Sequence, residues 1–462
     1  MASDQTLRAL GPFERYFLSR SNVGFPPVIV LVAFLEASVD PQVLVQAIDA
    51  LRVRYPLLSC CIPEPTKPFP RWATNPALKA SHIVEVLHSP PPELHELLAT
   101  PATIDLGTGP LWRVRLYLSD EPKLVLHVHH IVSDGVGSRN LLVELLQFMA
   151  SGTNPLDVTP TPFPSTLEAT VDVRPAALVL LYNIFFAVIV PLFPAFLQAL
   201  ITPTHVWPNP PRVSPTGQGH VAVIRLPSDA VTALSNTGKQ HGVRTVHPLL
   251  SALALHATWV MAGRADEVVS SHNTPASERD AALGHPTTTG NFVASFSPRV
   301  ILAPQTTFWP LARHIATTLS SPEARARARG NMGRLGYIPK PDVWTASGQT
   351  GWDEFLGKSV LSVVDFAQTF GCSNLGLIPP TPGLKEVVWA QETFPGLGSE
   401  AFCLNTITTS GGPMYLTVNW REGVVDRAEV DAFKTDFEQL VEKITLHDIP
   451  EDATFVDLPS NK

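Results

Sequence analysis

The stretch "LVLHVHHIVSDGVGSRNLLVELL", residues 124–146, decides how this chain is read. It opens with a strand-like run, turns through Ser133-Asp134-Gly135, and continues as a helix with Leu141, Leu142, Leu145 and Leu146 on one stripe. Three histidines crowd the end of the strand. Alternation puts His130 on the face of Leu124, Leu126 and Val128, while His127 and His129 point the other way with Val125. Asp134 is placed to cap the helix, and Gly135 lets the backbone turn sharply into it. A neutral His130 then sits near the positive end of a helix dipole, which disfavours imidazolium and leaves the ring available as a base at neutral pH. A satisfied core histidine is the plainer reading of such a ring. Metal is not expected, because neighbouring strand side chains diverge and no HExxH or CxxC supplies converging ligands.

Working outward, 462 residues exceed what one hydrophobic core usually supports, so more than one domain is expected. With 45% hydrophobic and 16% charged residues the chain falls outside the disordered class, and a formal charge of -8 argues against a nucleic-acid partner. A small hydrophobic ligand fits better. Cys60, Cys61, Cys372 and Cys403 show no metal spacing and read as reduced thiols of an intracellular protein. The segment "MASDQTLRALGPFER" has no apolar leader, so a cytoplasmic protein, a monomer, is the expectation.

"ASVDPQVLVQAIDALRVRYPLL" predicts a helix capped by Asp40, with Pro41 at its first position and Leu44, Ile48 and Leu51 buried. "PPVIVLVAFLEA" has the density of a buried strand, and "GPLWRVRLYL" and "KLVLHVHHIV" alternate as half-buried ones. Strand character restarts at "GHVAVIRLP". The chain therefore divides into residues 1–160, a proline-rich apolar crossover 161–215, and residues 216–462. Within the crossover, residues 176–201 carry no charge and are long enough to span a bilayer, although Pro191 and Pro194 break the run. Three readings stay open for it: a hairpin packed over an apolar channel, peripheral contact with a membrane such as the ER or lipid-droplet surface, and a true span.

His129-His130-Ile131-Val132-Ser133-Asp134-Gly135 forms the pattern HHxxxDG. "GNFVASFSPR", Gly290 to Arg299, resembles a second motif, GxFVNTxxxR, with Gly290, Phe292, Val293 and Arg299 matching, Asn291 between them, and Ala294 and Ser295 where Asn and Thr are usual. "CSNLG", Cys372 to Gly376, is similar to a third. Together these motifs resemble the chloramphenicol acetyltransferase-like acyltransferases and the condensation domains of peptide synthetases. "LGPFERYFLSR" and the order of the segments look most like fungal alcohol acetyltransferases.

That resemblance implies an α/β fold of two chloramphenicol acetyltransferase-like domains, each a mixed sheet with helices, and a tunnel between them. It implies an acyl-CoA-dependent O-acyltransferase, with acetyl-CoA as co-substrate, no permanently bound cofactor, and a hydrophobic alcohol such as a fungal secondary metabolite as acceptor. His130 would be the general base and Gly135 would leave room for the acyl chain or pantetheine arm. Asp134 would pair with an arginine of the second half, taken as Arg299. Ser373 or Asn374 would donate to the oxyanion, and Arg325, Arg327, Arg329 and Arg334 are weaker candidates for the CoA phosphates. Two other readings stay open: a condensation enzyme using a carrier-protein thioester, and a degenerate member that only binds.

Overall fold

The computed structural model describes residues 6–185, 189–194, 197, 206–208, 217–279, 289–338, 340–361, 368–391, 400–447 and 449–459. The first half contributes strands β1 (Thr6–Ala9), β2 (Val28–Leu35), β3 (Cys60–Cys61), β4 (Arg71–Thr74), β5 (Val84–Leu87), β6 (Trp112–Tyr117) and β7 (Lys123–His129). The second contributes β8 (Gly219–Leu226), β9 (Val268–Ser277), β10 (Val293–Phe296), β11 (Arg299–Leu302), β12 (Gln368–Ile378), β13 (Leu384–Gln391), β14 (Glu400–Thr409) and β15 (Met414–Arg421). These build a five-stranded mixed sheet, β13-β2-β7-β6-β5, and a second mixed sheet, β10-β9-β12-β14-β15-β8 with β11 also on β9. A small sheet β1-β4-β3 lies apart from both.

The local signals act where the sequence places them. Asp40 accepts a hydrogen bond from the Gln42 amide at 2.8 Å and starts the helix Pro41–Arg54, which buries Leu44, Ile48 and Leu51. Asp134 caps the helix Gly135–Ser151, which buries its four leucines and ends on Gly152 in the left-handed conformation. β6 alternates as a half-buried strand, whereas in β7 every residue from Leu124 to His129 is buried. The difference arises because both faces of β7 are covered, which removes the alternation a half-exposed strand would show.

One connection binds the halves together. After β12 the chain leaves the second sheet, runs as β13 antiparallel to β2 in the first, and returns as β14 parallel to β12. Residues 384–391 therefore belong to the first sheet although they lie within 216–462. Trp389 anchors this excursion: its ring is buried, and its indole N–H donates to the Thr406 carbonyl at 2.9 Å. Leu375, Ile378, Val387, Val388, Ile407 and Tyr415 consequently join the core of the first half, and a second core fills the other.

All four cysteines are free thiols, and burial pushes Cys60 and Cys372 up to about 12, so neither ionises near neutral pH. Of the run 176–201, the described residues include the helix Ala177–Ile184 and the turn Val190–Leu192. Among the described residues, no helix is long and apolar enough to cross a membrane.

Candidate active site

A cavity of about 540 Å³ opens between the two halves. Its walls come from the helix Pro12–Asn22, the HHxxxDG turn, β9, β10, β12, β14 and the end of the helix Pro322–Gly333.

Of the three histidines only His130 lines it. His127 is buried beneath the first sheet, where its Nδ1 accepts from the Ala102 amide at 3.2 Å. His129 accepts from the Ile131 amide through Nδ1 at 3.1 Å, so its Nε2 carries the hydrogen and donates to Ser21 Oγ at 2.8 Å. Burial pushes both rings down to about 3, so they are neutral structural groups.

His130 is held on three sides. Its ring stacks on Phe17 with centroids 4.1 Å apart and planes 16° from parallel. Its own backbone N–H donates to the Pro27 carbonyl at 2.7 Å. Its Nδ1 meets Asn291 Oδ1 at 3.0 Å, and Asn291 Nδ2 donates to the Ile131 carbonyl at 3.1 Å. That second bond fixes the tautomer. A carbonyl only accepts, so the amide must turn its nitrogen to Ile131 and its oxygen to His130, whose Nδ1 must therefore donate. In the neutral ring the lone pair is then on Nε2, the form a general base requires.

The turn after His130 is fixed from the second half. Asp134 accepts from the Gly137 and Phe292 amides, each at 2.9 Å, and pairs with Arg279 Nη2 at 2.9 Å and Nε at 3.3 Å. Both side chains of the pair are 1% exposed. Arg279 Nη2 also donates to the Gly290 carbonyl at 2.7 Å, while Gly290 N–H donates to the Val132 carbonyl at 2.6 Å. Gly290 has φ +98°, and a Cβ there would meet the Phe292 ring at 2.8 Å, so the position requires glycine.

The arginine expected to meet Asp134 is therefore the wrong one: the partner is Arg279, not Arg299. Arg299 begins β11, pairs through its backbone with Ser271, and has an exposed side chain on the outside of the second sheet. Arg279 stands two residues past the end of β9 and reaches inward under the Phe292 ring, its guanidinium 5.3 Å from the centroid. Gly137, which sequence reasoning passed over, makes the room. A Cβ on it would lie 2.2 Å from Ser133 Oγ and 2.5 Å from Arg279 Nη2. Gly135 also differs from expectation, since no positive φ sets it apart; a Cβ there would strike Leu375 Cδ2 at 2.6 Å, so it admits β12 rather than a sharp turn.

Ser373 and Asn374 both line the cavity. Asn374 Oδ1 accepts from the Gly376 amide at 2.7 Å, which holds an irregularity in β12 and leaves Nδ2 as the donor side of that amide. Among the arginines, Arg325 and Arg329 are drawn off to the buried Glu278, at 3.0 Å and 2.6 Å, and Arg327 is exposed outside the cavity. Arg334 does line it, and so does Arg20. The helix Pro12–Asn22 supplies Phe13, Tyr16, Phe17 and Arg20 to one wall at i, i+3, i+4 and i+7. That helical spacing was the available signal for these residues. For Arg279 there was none beyond its place between two strands. Among the described residues no group of side chains is arranged to hold a metal ion.

No protein-family model and no curated protein sequence matches this chain. Solved structures do. Polyketide synthase associated protein 5 from Mycobacterium tuberculosis aligns over 97% of this chain and 100% of its own, at 18% identity and TM-score 0.62. The condensation domain of the Monacolin K polyketide synthase aligns over 97% and 100% at 14% identity and TM-score 0.63, and the first condensation domain of the CDA synthetase over 99% of each at 13% and 0.61. The chain thus has the two-sheet α/β fold of condensation and acyltransferase enzymes. At these identities the likeness is one of fold.

Proposed function

We propose that the protein is an acyl-CoA-dependent O-acyltransferase, with His130 as its general base. The observation that carries this is the His130 ring in the cavity wall, clamped by Asn291 so that Nδ1 is the donor and the neutral ring has its lone pair on Nε2. In the reaction, Nε2 takes the proton of an acceptor hydroxyl as its oxygen bonds to the thioester carbonyl carbon. Collapse of the tetrahedral intermediate breaks the C–S bond, and the imidazolium returns its proton to the departing thiolate. A thiolate leaves readily, so no acyl-enzyme is required; a positioned base contributes about 10²- to 10⁴-fold. Ser373 and the Asn374 amide are the cavity-wall groups suited to donate to the oxyanion. Asp134, Arg279 and Gly137 do not touch the reacting atoms; they hold the turn that aims the ring.

Acetyl-CoA is the first donor to try, with a hydrophobic alcohol as acceptor. A condensation reaction from a carrier-protein thioester would use the same base, and the two are separated by the donor accepted. Purified protein is incubated with acetyl-CoA and longer acyl-CoAs against a panel of alcohols, and ester masses and free thiol are measured. Ester formation that falls by about 10²-fold or more in a folded His130→Ala variant is the expected result. Turnover within about tenfold of wild type in that variant removes His130 from the chemistry.

A further inference from the structure

The helix Ala177–Ile184 is placed the wrong way round for a helix of a water-exposed surface. Leu178, Leu181, Tyr182 and Phe185 recur at i, i+3, i+4 and i+7, the spacing of a stripe that normally turns to a core. Here the stripe faces outward. Leu178 is 80% exposed, Leu181 62% and Tyr182 51%, and Leu192 beyond the break is 76% exposed. Isolated exposed leucines are ordinary, but a periodic cluster marks a contact surface.

Another side of this helix faces a cleft next to the active site. Ala176 and Val179 form one wall of a second cleft, of about 450 Å³, whose other walls are β10 and the helix Pro322–Gly333. Ser295, Ser297 and Asn331 line both this cleft and the cavity that holds His130, so these side chains form the wall the two spaces share. The segment before the helix is seated tightly: a Cβ on Gly333 would lie 1.7 Å from the Val173 carbonyl oxygen, and one on Gly330 3.2 Å from Pro175 Cα. Among the described lining residues of the cleft are two arginines, Arg327 and Arg174, the second paired with Asp172 at 2.6 Å. Arg327 is exposed and so sets a cation at the edge of the cleft, near the apolar stripe, on a chain of net charge -8.

We infer that the stripe Leu178, Leu181, Tyr182 and Phe185 rests on a phospholipid surface, and that the acceptor passes from the lipid through the adjoining cleft to His130. A bilayer fits both features. The acyl boundary takes up the apolar side chains, and anionic headgroups meet Arg327. The stripe is too short to span and is suited to lie in the interface plane. The docking half stands on the surface alone, whereas the delivery half rests on the acyl-transfer reading.

The full chain is floated with vesicles of phosphatidylcholine and phosphatidylserine, beside a Leu178→Ser/Leu181→Ser/Tyr182→Ser variant whose exposed positions leave the fold intact. Wild type is expected to float, with weaker binding to phosphatidylcholine alone, and the variant to bind at least about tenfold more weakly. Wild type that stays with the lipid-free fraction, or a variant that floats equally, overturns the inference. So does a wild-type dimer that the variant dissolves without any flotation, because the stripe then covers a second copy. In the activity arm, the variant should lose turnover of a long-chain alcohol partitioned into the vesicles and keep turnover of a short water-soluble one. Equal loss of both overturns delivery. Absence of any ester with wild type, alongside intact flotation, refutes the acyl-transfer reading and with it delivery, while docking stands.

Discussion

Replacing Arg279 should cost more than replacing any arginine on the outer surface, and the amount follows from what Asp134 would lose. Asp134 has four donors: the Gly137 and Phe292 amides, and two nitrogens of Arg279. In Arg279→Met the carboxylate stays buried with two donors, and the Gly290 carbonyl loses one. Breaking a buried pair by removing one partner costs about 3–5 kcal/mol, and the two remaining amide bonds place this case toward the lower end. Asp134→Asn keeps one oxygen as a helix cap but leaves the guanidinium uncompensated, a loss of about 2–4 kcal/mol. If the two side chains act as one unit, Asp134→Asn with Arg279→Met should fall short of the sum by ~2 kcal/mol or more. Arg299→Ala, at an exposed position of β11, should cost far less than either of these changes, within about 1 kcal/mol of wild type. Urea unfolding of the four variants, with ester formation measured in parallel, reads this out. Additive losses for Asp134 and Arg279, or a coupling that appears with Arg299 instead, would refute the account of how the second half fixes the turn.

Two further outcomes follow from the same geometry. Gly137→Ala should destabilise by about 1–3 kcal/mol in urea despite the gain of about 1 kcal/mol that alanine brings to an exposed helix position, because the methyl displaces Ser133 and the Arg279 guanidinium; a neutral or stabilising change would show that the contact relaxes freely. His127, His129 and His272 are pushed down to about 3 and His247 to about 4, all chiefly by burial, from an ordinary value of 6.5. With folded values below unfolded ones, the unfolded chain binds protons first, so the stability present above pH 6.5 is lost as pH falls. Between pH 6.5 and 5.5 this amounts to about 1 kcal/mol per ring, ~4 kcal/mol for the four, and a urea midpoint that does not move over that unit would contradict the burial of these rings.

The sequence by itself determined the local units. Strand, turn and helix across residues 124–146, the Asp40 and Asp134 caps, and the leucine stripe of Gly135–Ser151 are all set by short-range spacing and backbone chemistry, which operate within a few residues. His130 was legible as a candidate base for the same reason: a ring at a strand end before a capped helix is a local arrangement. The tertiary structure alone decided which groups meet that ring. Arg279 rather than Arg299 reaches Asp134 because Arg279 follows the end of β9 at Ser277, beside β10, whereas β11 pairs Arg299 with Ser271, six residues back along β9, a fact of sheet register that no spacing within the motif encodes. Asn291 holds Nδ1 because Gly290 brings its strand beside Ser133, 157 residues away in the chain. The need for Gly137 was likewise invisible, since the room its missing Cβ leaves is shared by Ser133 of the same turn and Arg279 of the other half. Contacts between distant segments depend on how two sheets pack and on where the chain crosses between them, and here the crossing strand β13 carries second-half residues into the first sheet. The exposed stripe of residues 178–185 shows the same division. Its period was written in the sequence, but whether it faced a core or the outside was settled only by what the remaining chain left uncovered.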